Sequence, residues 1–474
     1  MDQLQETLDT ISSFVWGPWL LIPLLLMTGL WLTVRLRGIQ FRTLGSALRL
    51  ALWERKDEDA EGGDISQFQA LTTALAATVG VGNIVGVATA ISIGGPGALF
   101  WMWVTGLLGM ASKYSEAFLA VRFRTVDEKG LVSGGPQYYL TKAAPGKWGV
   151  ALSIAFAVFA VLASFGIGNM TQANAVAENV HDAFGVPQYV SAIVMVVFVG
   201  LVILGGIKAI GTVTSALVPF MIVFYVLGAL YILTVNITEV PAALALIFGQ
   251  AFTGKAAAGG ALGGFLIALQ LGVARGIFSN ESGMGSAAIA AAAAQTTHPV
   301  RQGLVSMTQT FIDTIIVVSC TGLVLVTTGV WDSGESPAVL TSMAFSHGLP
   351  GEWGGYIVAI GVILFAFSTI LGWSYYGDRC IERLFGARAT LWYRIAFTIV
   401  VYVGATVPLG IVWSFADIMN GLMALPNLIG LLVLSGLIAR ETAHYLRHDP
   451  KLRANRAEVD GFMAGEPPMP SLRP

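Results

Sequence analysis

The 474-residue chain contains few charged residues and almost no cysteine. Only 11% of its residues are Asp, Glu, Lys or Arg, whereas soluble domains carry about 25%. This shortage excludes an ordinary soluble globular protein, and the 55% hydrophobic content indicates a bilayer environment. The two cysteines, Cys320 and Cys380, lie in or beside different apolar segments, which argues against a disulfide framework and a cysteine metal site. We therefore expect an all-α integral membrane protein.

Apolar runs recur along the chain at the length of membrane-spanning helices. The first run lacks a preceding basic region and is interpreted as an anchor rather than a cleaved signal. A patch near 240–252 is too short to span and is predicted to lie at the membrane interface. The predicted spans number about eleven and lie roughly at 14–34, 68–92, 97–121, 147–168, 188–207, 212–234, 261–280, 303–328, 354–374, 391–412 and 417–438.

Lys and Arg are concentrated on one side of the predicted membrane. When alternate loops are counted, 23 of the 26 basic residues fall on the side that holds the C-terminal tail. Because cytoplasmic loops carry an excess of Lys and Arg, this asymmetry predicts a cytoplasmic C-terminus and an N-terminus outside. We expect a multi-pass protein of the inner cell membrane.

Several functional classes lack their usual motifs in this sequence. No phosphate-binding loop is visible, which argues against ATP-driven transport. No nucleophile motif or metal-ligand spacing is visible, and the charges are scattered rather than clustered as an enzyme requires. The basic residues are interpreted as topology signals, so membrane lipids are expected partners, whereas nucleic acid and an obligate protein partner are not. An integral-membrane enzyme and a channel remain alternatives to a transporter.

Two glycine-containing segments can be aligned with each other. The stretch GVGNIVGVA at 80–88 and the stretch GMGSAAIAA at 283–291 both begin with Gly-x-Gly followed by Asn or Ser. An odd number of predicted spans separates the starts of the two copies, so the second copy would be inverted in the membrane. Paired glycines favour an interrupted helix. The alternative is that Gly82 and Gly86 simply allow close helix packing.

An interrupted helix within a membrane exposes main-chain groups that require partners. The N-terminus of a half-helix favours a carboxylate, and free carbonyl oxygens favour a cation. An amino acid together with Na⁺ would supply both partners. The pattern therefore favours a secondary transporter with two discontinuous helices.

Six longer motifs give a more specific signal than the glycines alone. They are GVGNIVGVATAISIGGPGALFWMWVTGLLGMASKYSEAFLAVRFR at 80–124, GGPQYYL at 134–140, QANAVA at 172–177, ARGIFSNESGMGS at 274–286, FIDTIIV at 311–317 and FAFSTILGWSYYGDRC at 365–380. These motifs resemble the alanine or glycine:cation symporter family, and the likeness covers nearly the whole membrane part. The resemblance implies a LeuT-type fold with two inverted repeats of five helices after one extra N-terminal helix. It also implies import of alanine or glycine coupled to Na⁺, with H⁺ coupling or a larger neutral substrate such as glutamine as the alternative.

The spans and the resemblance together divide the chain into four parts. Residues 1–66 are predicted to form the N-terminal helix and a cytoplasmic loop, and residues 67–235 the first repeat. Residues 236–438 would contain the interfacial segment and the second repeat. Residues 439–474 form a polar tail that is predicted to be cytoplasmic and disordered.

The resemblance implies a substrate site at the two interruptions. Backbone N–H groups near Gly80 and Gly82 would hold the substrate carboxylate, and Phe278 would lie over the substrate side chain. Gln172 and Asn174 are alternatively polar loop residues. Trp373 is alternatively an interfacial aromatic. The predicted substrate contacts are Thr78, Val79, Gly80, Gly82, Gln172, Asn174, Phe278, Asn280 and Trp373.

The same resemblance implies oxygen ligands for Na⁺. Ser368 and Thr369 are adjacent hydroxyl residues in an apolar helix, where they would complete a cation site with main-chain carbonyl groups. Their alternative role is a hydrogen bond to the preceding turn, and Asn83 is alternatively a helix cap. The predicted cation ligands are Ala76, Thr78, Val79, Asn83, Ser279, Phe365, Ser368 and Thr369.

Ionisable residues inside apolar segments require partners or a function. Arg275 and Glu281 are predicted to pair, either structurally or in coupling or gating. Asp313 is predicted to pair across helices or to act in coupling. Lys113 and Glu116 are three residues apart, which indicates a self-neutralising structural pair on one helix face.

Overall fold

The computed structural model describes residues 2–464 except 56, 58, 59, 61, 254–259, 350, 352, 408 and 409. The described chain is mostly helical, as the composition predicts. Its first half contains α1 Asp2–Val15, α2 Leu21–Arg35, α3 Ile39–Arg42, α4 Leu44–Leu52, α5 Gln67–Thr78, a 3₁₀ turn Val81–Asn83, α6 Val85–Gly94, α7 Gly97–Arg122, β1 Thr125–Val126, β2 Val132–Ser133, α8 Pro136–Ala143, α9 Lys147–Phe165, a π-helical segment Gly166–Met170, α10 Thr171–Phe184, α11 Gln188–Ile203, α12 Gly206–Val235 and α13 Val240–Gln250.

The second half begins after the short helix that occupies the predicted interfacial patch. It contains α14 Gly260–Asn280, α15 Ser286–Ala292, α16 Pro299–Thr310, a π-helical segment Phe311–Val318, α17 Ser319–Thr328, a 3₁₀ turn Val330–Asp332, α18 Pro337–Gly348, α19 Trp353–Phe385, α20 Ala389–Thr406, α21 Gly410–His448 and α22 Arg456–Phe462. The small sheet pairs β1 with β2 in antiparallel register, Thr125 opposite Ser133.

Six helical stretches in the described chain are long and apolar enough to cross a membrane, and the bent pair of α5 and α6 makes a seventh. Other predicted spans coincide with shorter apolar helices, such as α2 and α11. Large apolar side chains lie on the outside of the molecule, including Leu201 at 72% exposure and Phe220 at 60%. An apolar exterior around buried polar side chains is the arrangement that a bilayer requires, so the chain is a multi-pass membrane protein.

The first interruption lies between α5 and α6, at the predicted glycines. Helix α5 begins at a capping box, in which Ser66 Oγ accepts a hydrogen bond from Gln69 N at 3.2 Å. The helix ends at Thr78, and the chain resumes as the 3₁₀ turn Val81–Asn83 after an extended Gly80. The axes of the two half-helices differ by 62°. The prediction of a broken helix at this point is confirmed.

The second interruption separates α14 from α15 and starts later than predicted. Phe278, Ser279 and Asn280 remain in the last turn of α14, because the N–H of Glu281 still donates to the carbonyl of Ile277 at 2.7 Å. Left-handed backbone angles begin at the next residues. They occur at Glu281 with φ 54°, Gly283 with φ 90° and Gly285 with φ 85°.

The predicted disorder of the C-terminal tail is wrong for the part that the structure describes. Helix α21 extends to His448, and α22 follows. Arg301 Nη2 donates to the carbonyl of Leu452 at 2.9 Å, and the ring of His298 stacks on Tyr445 with centroids 4.6 Å apart. Contacts with distant parts of the chain thus order a polar segment whose composition predicts disorder, while residues 465–474 lie outside the described residues.

Candidate functional site

A buried carboxylate connects the two interrupted helices. Asp313 lies in the π-helical segment Phe311–Val318, and π-bulges frequently occur at functional sites. Its Oδ1 accepts from Asn83 Nδ2 at 2.7 Å, while its Oδ2 accepts from Ser279 Oγ at 2.9 Å and from Thr314 Oγ1 at 2.8 Å. The structure therefore brings Asn83, Ser279 and Asp313 into one cluster and confirms that Asp313 has partners on other helices.

A second group of oxygen atoms lies where α19 passes the end of α5. Ser368 Oγ is 3.3 Å and Thr369 Oγ1 is 3.1 Å from the carbonyl oxygen of Ala76. The same hydroxyls lie 2.8 and 2.9 Å from the carbonyl oxygen of Phe365. Bonding to the preceding turn and contact with the interrupted helix therefore coexist. A Cβ on Gly80 would lie 2.5 Å from Thr369 Oγ1, so this approach requires glycine.

Two N–H groups at the first interruption have protein partners in this structure. Gly80 N donates to Asn83 Oδ1 at 2.9 Å, and Val81 N donates to Gln172 Oε1 at 3.4 Å. The capping role considered for Asn83 is thus confirmed, since its amide oxygen satisfies a main-chain donor. Gln172 is a buried residue of α10, so its alternative as a polar loop residue is wrong.

Aromatic side chains contact glycines around this centre. A Cβ on Gly82 would lie 2.9 Å from the ring of Phe278, whose centroid is 6.5 Å from that of Trp413. Trp373 is only 1% exposed, so its alternative as an interfacial aromatic is wrong. A Cβ on Gly168 would lie 2.3 Å from the Cβ of Trp373.

The alternative of simple close packing at Gly82 and Gly86 is supported only at the first glycine. A Cβ on Gly86 would have nothing within 4 Å. Gly82 and Gly86 therefore do not form one helix-packing motif. Gly82 makes room for the ring of Phe278.

A cavity of about 400 Å³ leads from one end of the molecule to the first interruption. Its lining includes Val81 and Val85 at the interruption, Asn174 and Glu178 on α10, and Tyr356 on α19. Asn174 therefore lines the cavity. It lies on α10, the helix that also carries Gln172.

Thr78 and Asn280 face the span that is formed by α16 and the π-helical segment Phe311–Val318. Gln309 Nε2 donates to Thr78 Oγ1 at 3.1 Å, and the Thr78 hydroxyl lies 3.1 Å from the carbonyl oxygen of Ala74. Asn280 Nδ2 donates to Thr314 Oγ1 at 3.0 Å. These contacts place both side chains beside the span that carries Asp313.

The predicted pairing of Arg275 with Glu281 is wrong. Glu281 Oε2 accepts from Ser286 Oγ at 2.5 Å within the second interruption. The guanidinium carbon of Arg275 lies 5.6 Å from the ring centroid of Phe278, and the charge of Arg275 interacts with Asp417. The reason is geometric, because the left-handed turn at Glu281 ends the helix that would have aligned the two side chains.

The predicted pair of Lys113 and Glu116 is confirmed, with Lys113 Nζ 3.7 Å from Glu116 Oε2. Both residues also contact the second interruption. Lys113 Nζ donates to the carbonyl of Glu281 at 3.0 Å, and Glu116 Oε1 accepts from Gly285 N at 2.9 Å. Asn427 Nδ2 donates to the same carboxylate at 2.8 Å. The pair therefore satisfies main-chain groups that the broken helix leaves without partners.

The end opposite the cavity is closed by contacts between the two interrupted helices. The segment before α5 pairs with the segment after α15, where Asp64 N donates to Ala293 O and Gln295 N donates to Ile65 O, each at 2.8 Å. Arg124 Nη1 donates to the carbonyl of Ala294 at 2.7 Å. Burial raises the pKa of Asp64, although its carboxylate accepts from a main-chain N–H.

Ion pairs strengthen the closure of the same end. Arg379 Nη1 lies 3.1 Å from Asp127 Oδ2 and 2.8 Å from Glu382 Oε2. Arg394 Nη2 lies 2.8 Å from Asp378 Oδ2. Helix α19 thus starts beside the cavity and ends in this charged cluster.

Comparison with known sequences identifies the family of the chain. The sequence profile of the sodium:alanine symporter family matches residues 1–459. The chain belongs to this family. It is 52% identical over 455 residues to the sodium/alanine symporter AgcS of Methanococcus maripaludis. The aligned region covers 95% of this chain and 98% of that protein. It is 37% identical over 450 residues to a Bacillus subtilis protein named as the probable sodium/glutamine symporter GlnT, with 94% and 92% covered.

Solved structures support the fold independently. The crystal structure of MhsT in complex with L-phenylalanine has a TM-score of 0.54 at 14% identity and covers 81% of this chain and 100% of that chain. At this identity the likeness concerns the fold alone, which is of the LeuT type. This member of the sodium:alanine symporter family therefore has the LeuT-type fold.

Several residues of this symporter's site were not predicted from its sequence. Except for Tyr139, which lies in the short helix α8, they are polar residues inside predicted spans, and that pattern alone could have indicated them. Asn427 illustrates this, because it follows Pro426 inside a span and bonds both Glu116 and the carbonyl of Gly283. The residues in question are Tyr139, Gln309, Thr314, Asp417 and Asn427.

Proposed function

We propose that this protein imports a small neutral amino acid, alanine or glycine, together with Na⁺ by alternating access. The observation that carries the proposal is the position of the Ser368 and Thr369 hydroxyls against the carbonyl oxygen of Ala76, at the point where α5 is interrupted. Carbonyl groups at the C-terminal end of a half-helix coordinate coupling ions in transporters. Membership of the sodium:alanine symporter family supports the same ion and substrate.

The first proposed cation site uses oxygen atoms only. Ala76 and Phe365 contribute carbonyl oxygens, and Ser368 and Thr369 contribute hydroxyls, all within the distances given above. We add the carbonyl of Val79, which ends the same helix turn and is buried. A neutral set of hard oxygen ligands suits an alkali cation better than a transition metal.

The second proposed cation site centres on the carboxylate of Asp313. Asn83 and Ser279 lie within hydrogen-bond distance of its two oxygens, and Thr78 approaches the same region through Gln309. A buried carboxylate needs a compensating charge, which a cation would supply. A proton would neutralise Asp313 equally well, and this residue therefore also favours H⁺ coupling as the second candidate.

The proposed substrate site lies between the first interruption and the aromatic residues. The main chain at Gly80 and Gly82 would receive the carboxylate once Gln172 moves aside, because its amide oxygen faces Val81 N at 3.4 Å. Phe278 and Trp373 each lie within van der Waals distance of a glycine and restrict the space. A small side chain fits such a site. One methylene changes binding by only about 1–3 kcal/mol in such a pocket, so alanine and glycine are proposed together.

Alternating access would open and close the two ends in turn. This structure has a cavity at one end and main-chain and ion-pair contacts at the other. We assign the closed end to the cytoplasm, because the cluster of Arg379 and Arg394 belongs to the basic side of the membrane. The N-terminus would then lie outside. The repeats 67–235 and 236–438 would each contribute one interrupted helix, consistent with inverted symmetry.

The function can be tested with purified protein in liposomes. Labelled alanine is supplied with an inward Na⁺ gradient, an inward H⁺ gradient or neither, and unlabelled glycine and glutamine serve as competitors. We expect accumulation only with Na⁺ and competition by glycine. Accumulation driven by H⁺ alone would favour the second candidate, leak without any gradient would indicate a channel, and no uptake would contradict a transporter of these substrates.

A further inference from the structure

A cavity of about 480 Å³ that is separate from the transport site lies between the end of α2 and the second half of α21. Five arginines line it: Arg35, Arg37, Arg42, Arg440 and Arg447. No Asp or Glu is among its described lining residues. Within the described chain, Arg35, Arg37, Arg42 and Arg447 make no ion pair with an acidic side chain. A concave site with this charge favours an anionic ligand.

Two lipid-facing stripes lead directly to this cavity. On α2, Met27, Leu30, Trp31 and Val34 are exposed at helical spacing, with Val34 at 66%, and the stripe ends at Arg35. On α21, Ile429, Leu432 and Val433 form the equivalent stripe, which ends at Gly436 and Arg440. Apolar stripes that meet a cationic pocket correspond to the acyl chains and headgroup of one phospholipid.

The two walls of the cavity are held together by specific contacts. Trp31 Nε1 donates to Ser435 Oγ at 3.2 Å, which connects α2 to α21 just before the pocket. The guanidinium carbon of Arg35 lies 5.6 Å from the ring centroid of Trp31. Side-chain contacts therefore fix the shape of the pocket. Its arginines are arranged around one cavity and are not simply scattered along the cytoplasmic loops.

Arg37 occupies a position that normally belongs to glycine. The N–H of Gly38 donates to Thr33 O at 2.7 Å, and the N–H of Arg37 donates to Val34 O at 3.0 Å, which is the Schellman pattern at the end of α2. Arg37 has φ 55°, a left-handed conformation that costs an L-residue about 1–2 kcal/mol. Strain of this kind concentrates at functional positions, and here it directs a guanidinium group to the cavity.

We propose that this arginine cavity binds the phosphate headgroup of an anionic phospholipid. Basic pockets between transmembrane helices are typical sites for such headgroups. Free phosphate offers the same chemistry, but the apolar stripes of α2 and α21 have a use only if acyl chains are attached. The site does not depend on the proposed transport function, since its lining residues include none of the proposed substrate or cation ligands.

The proposal is tested on full-length protein in detergent by native mass spectrometry. Delipidated protein is titrated with phosphatidylglycerol, phosphatidylcholine or inorganic phosphate. We expect phosphatidylglycerol to bind more tightly than phosphatidylcholine. The double variant Arg35→Gln/Arg42→Gln should weaken phosphatidylglycerol binding by roughly thirtyfold, if each basic residue contributes about 1 kcal/mol. Arg388→Gln, which changes an exposed arginine elsewhere, is the matched control and should bind as the wild type does.

A second variant distinguishes lipid binding from folding. Arg37→Gly removes the guanidinium group and the left-handed strain together, so it should weaken phosphatidylglycerol binding while raising the thermal unfolding temperature. Equal binding of both lipids, unchanged binding in Arg35→Gln/Arg42→Gln, or binding of inorganic phosphate without preference for the anionic lipid would each overturn the proposal.

Discussion

The hydroxyl oxygen of Thr369 lies 3.1 Å from the carbonyl oxygen of Ala76. This contact joins the middle of α19 to the last turn of α5, immediately before the chain leaves its helical path at Val79. A carbonyl group near a helix end can accept a second partner. The position is therefore suited to a cation that binds the Thr369 hydroxyl and the Ala76 carbonyl together. Such a cation would stabilise one arrangement of α19 relative to α5.

Thr369→Ala should weaken the response of transport to Na⁺. The substitution removes one proposed ligand while Ala76 and Phe365 keep their carbonyl oxygens, so we expect the Na⁺ concentration for half-maximal uptake to rise roughly tenfold, as the loss of about 1.4 kcal/mol implies. The measurement is the initial rate of alanine uptake into liposomes at varied Na⁺. Thr398→Ala is the matched control, because within the described chain the Thr398 hydroxyl bonds only the preceding turn of α20, at 2.8 Å from Arg394 O.

Unchanged Na⁺ activation in both Thr369→Ala and Ser368→Ala would remove this site from consideration. A loss of folded protein in Thr369→Ala would be detected by size-exclusion chromatography before transport is measured.

Asp313→Asn should abolish most transport while preserving the fold. The carboxylate accepts three hydrogen bonds, from Asn83, Ser279 and Thr314, and an amide group would direct an N–H toward some of these donors. Since a hydrogen bond to a charged group is worth about 1.5–3 kcal/mol, we expect roughly a hundredfold slower uptake. Asp460→Asn, at an exposed position of α22, is the control and should transport as the wild type does. Retention of wild-type Na⁺-dependent uptake by Asp313→Asn would show that the carboxylate is dispensable.

Gly168→Ala should inactivate the protein, whereas Gly86→Ala should not. The new methyl group at 168 would lie 2.3 Å from the Cβ of Trp373, while a methyl group at 86 would meet nothing within 4 Å. Overpacking of a buried site costs about 1–3 kcal/mol, and here it would displace Trp373 from the proposed substrate site. Alanine uptake and the thermal unfolding temperature are measured for both variants. Equal uptake by the two variants would contradict the proposed place of Trp373 in the substrate site.

The stability of the protein should fall below neutral pH because of His298. Burial, followed by the charges of Arg122 and Arg301, lowers the pKa of this imidazole from 6.5 to about 3. A lowered folded pKa means that the unfolded chain binds the proton first, so stability is fully present above pH 6.5 and is lost progressively as the pH falls toward 3. At about 1.4 kcal/mol per pH unit, the loss reaches about 2 kcal/mol by pH 5.

Thermal unfolding of the purified protein between pH 8 and pH 5 measures this effect. His298→Gln should flatten the pH dependence, whereas His347→Gln, at an exposed position, should leave it unchanged. A wild-type pH dependence in His298→Gln would assign the effect to another group.

The glycine pattern was the strongest local signal for the site. Gly80 and Gly82 predicted the first interruption, where Thr369 and Phe278 leave no room for a Cβ atom. Gly283 and Gly285 predicted the second, where both adopt left-handed backbone angles that other residues avoid. The start of the second interruption was displaced, since Ser279 and Asn280 continue the α-helix until Glu281. Sequence composition does not reveal how far a helix extends toward a break.

The sequence by itself determined the membrane character, the interrupted helices and the adjacent hydroxyls of Ser368 and Thr369, because these depend on composition and on neighbours along the chain. The tertiary structure alone decided which charges and amides meet. Glu281 bonds Ser286 instead of Arg275, and Asn427 reaches Glu116 across 311 positions. Such partners depend on the rotation and crossing of whole helices, which arise from packing across the entire bundle.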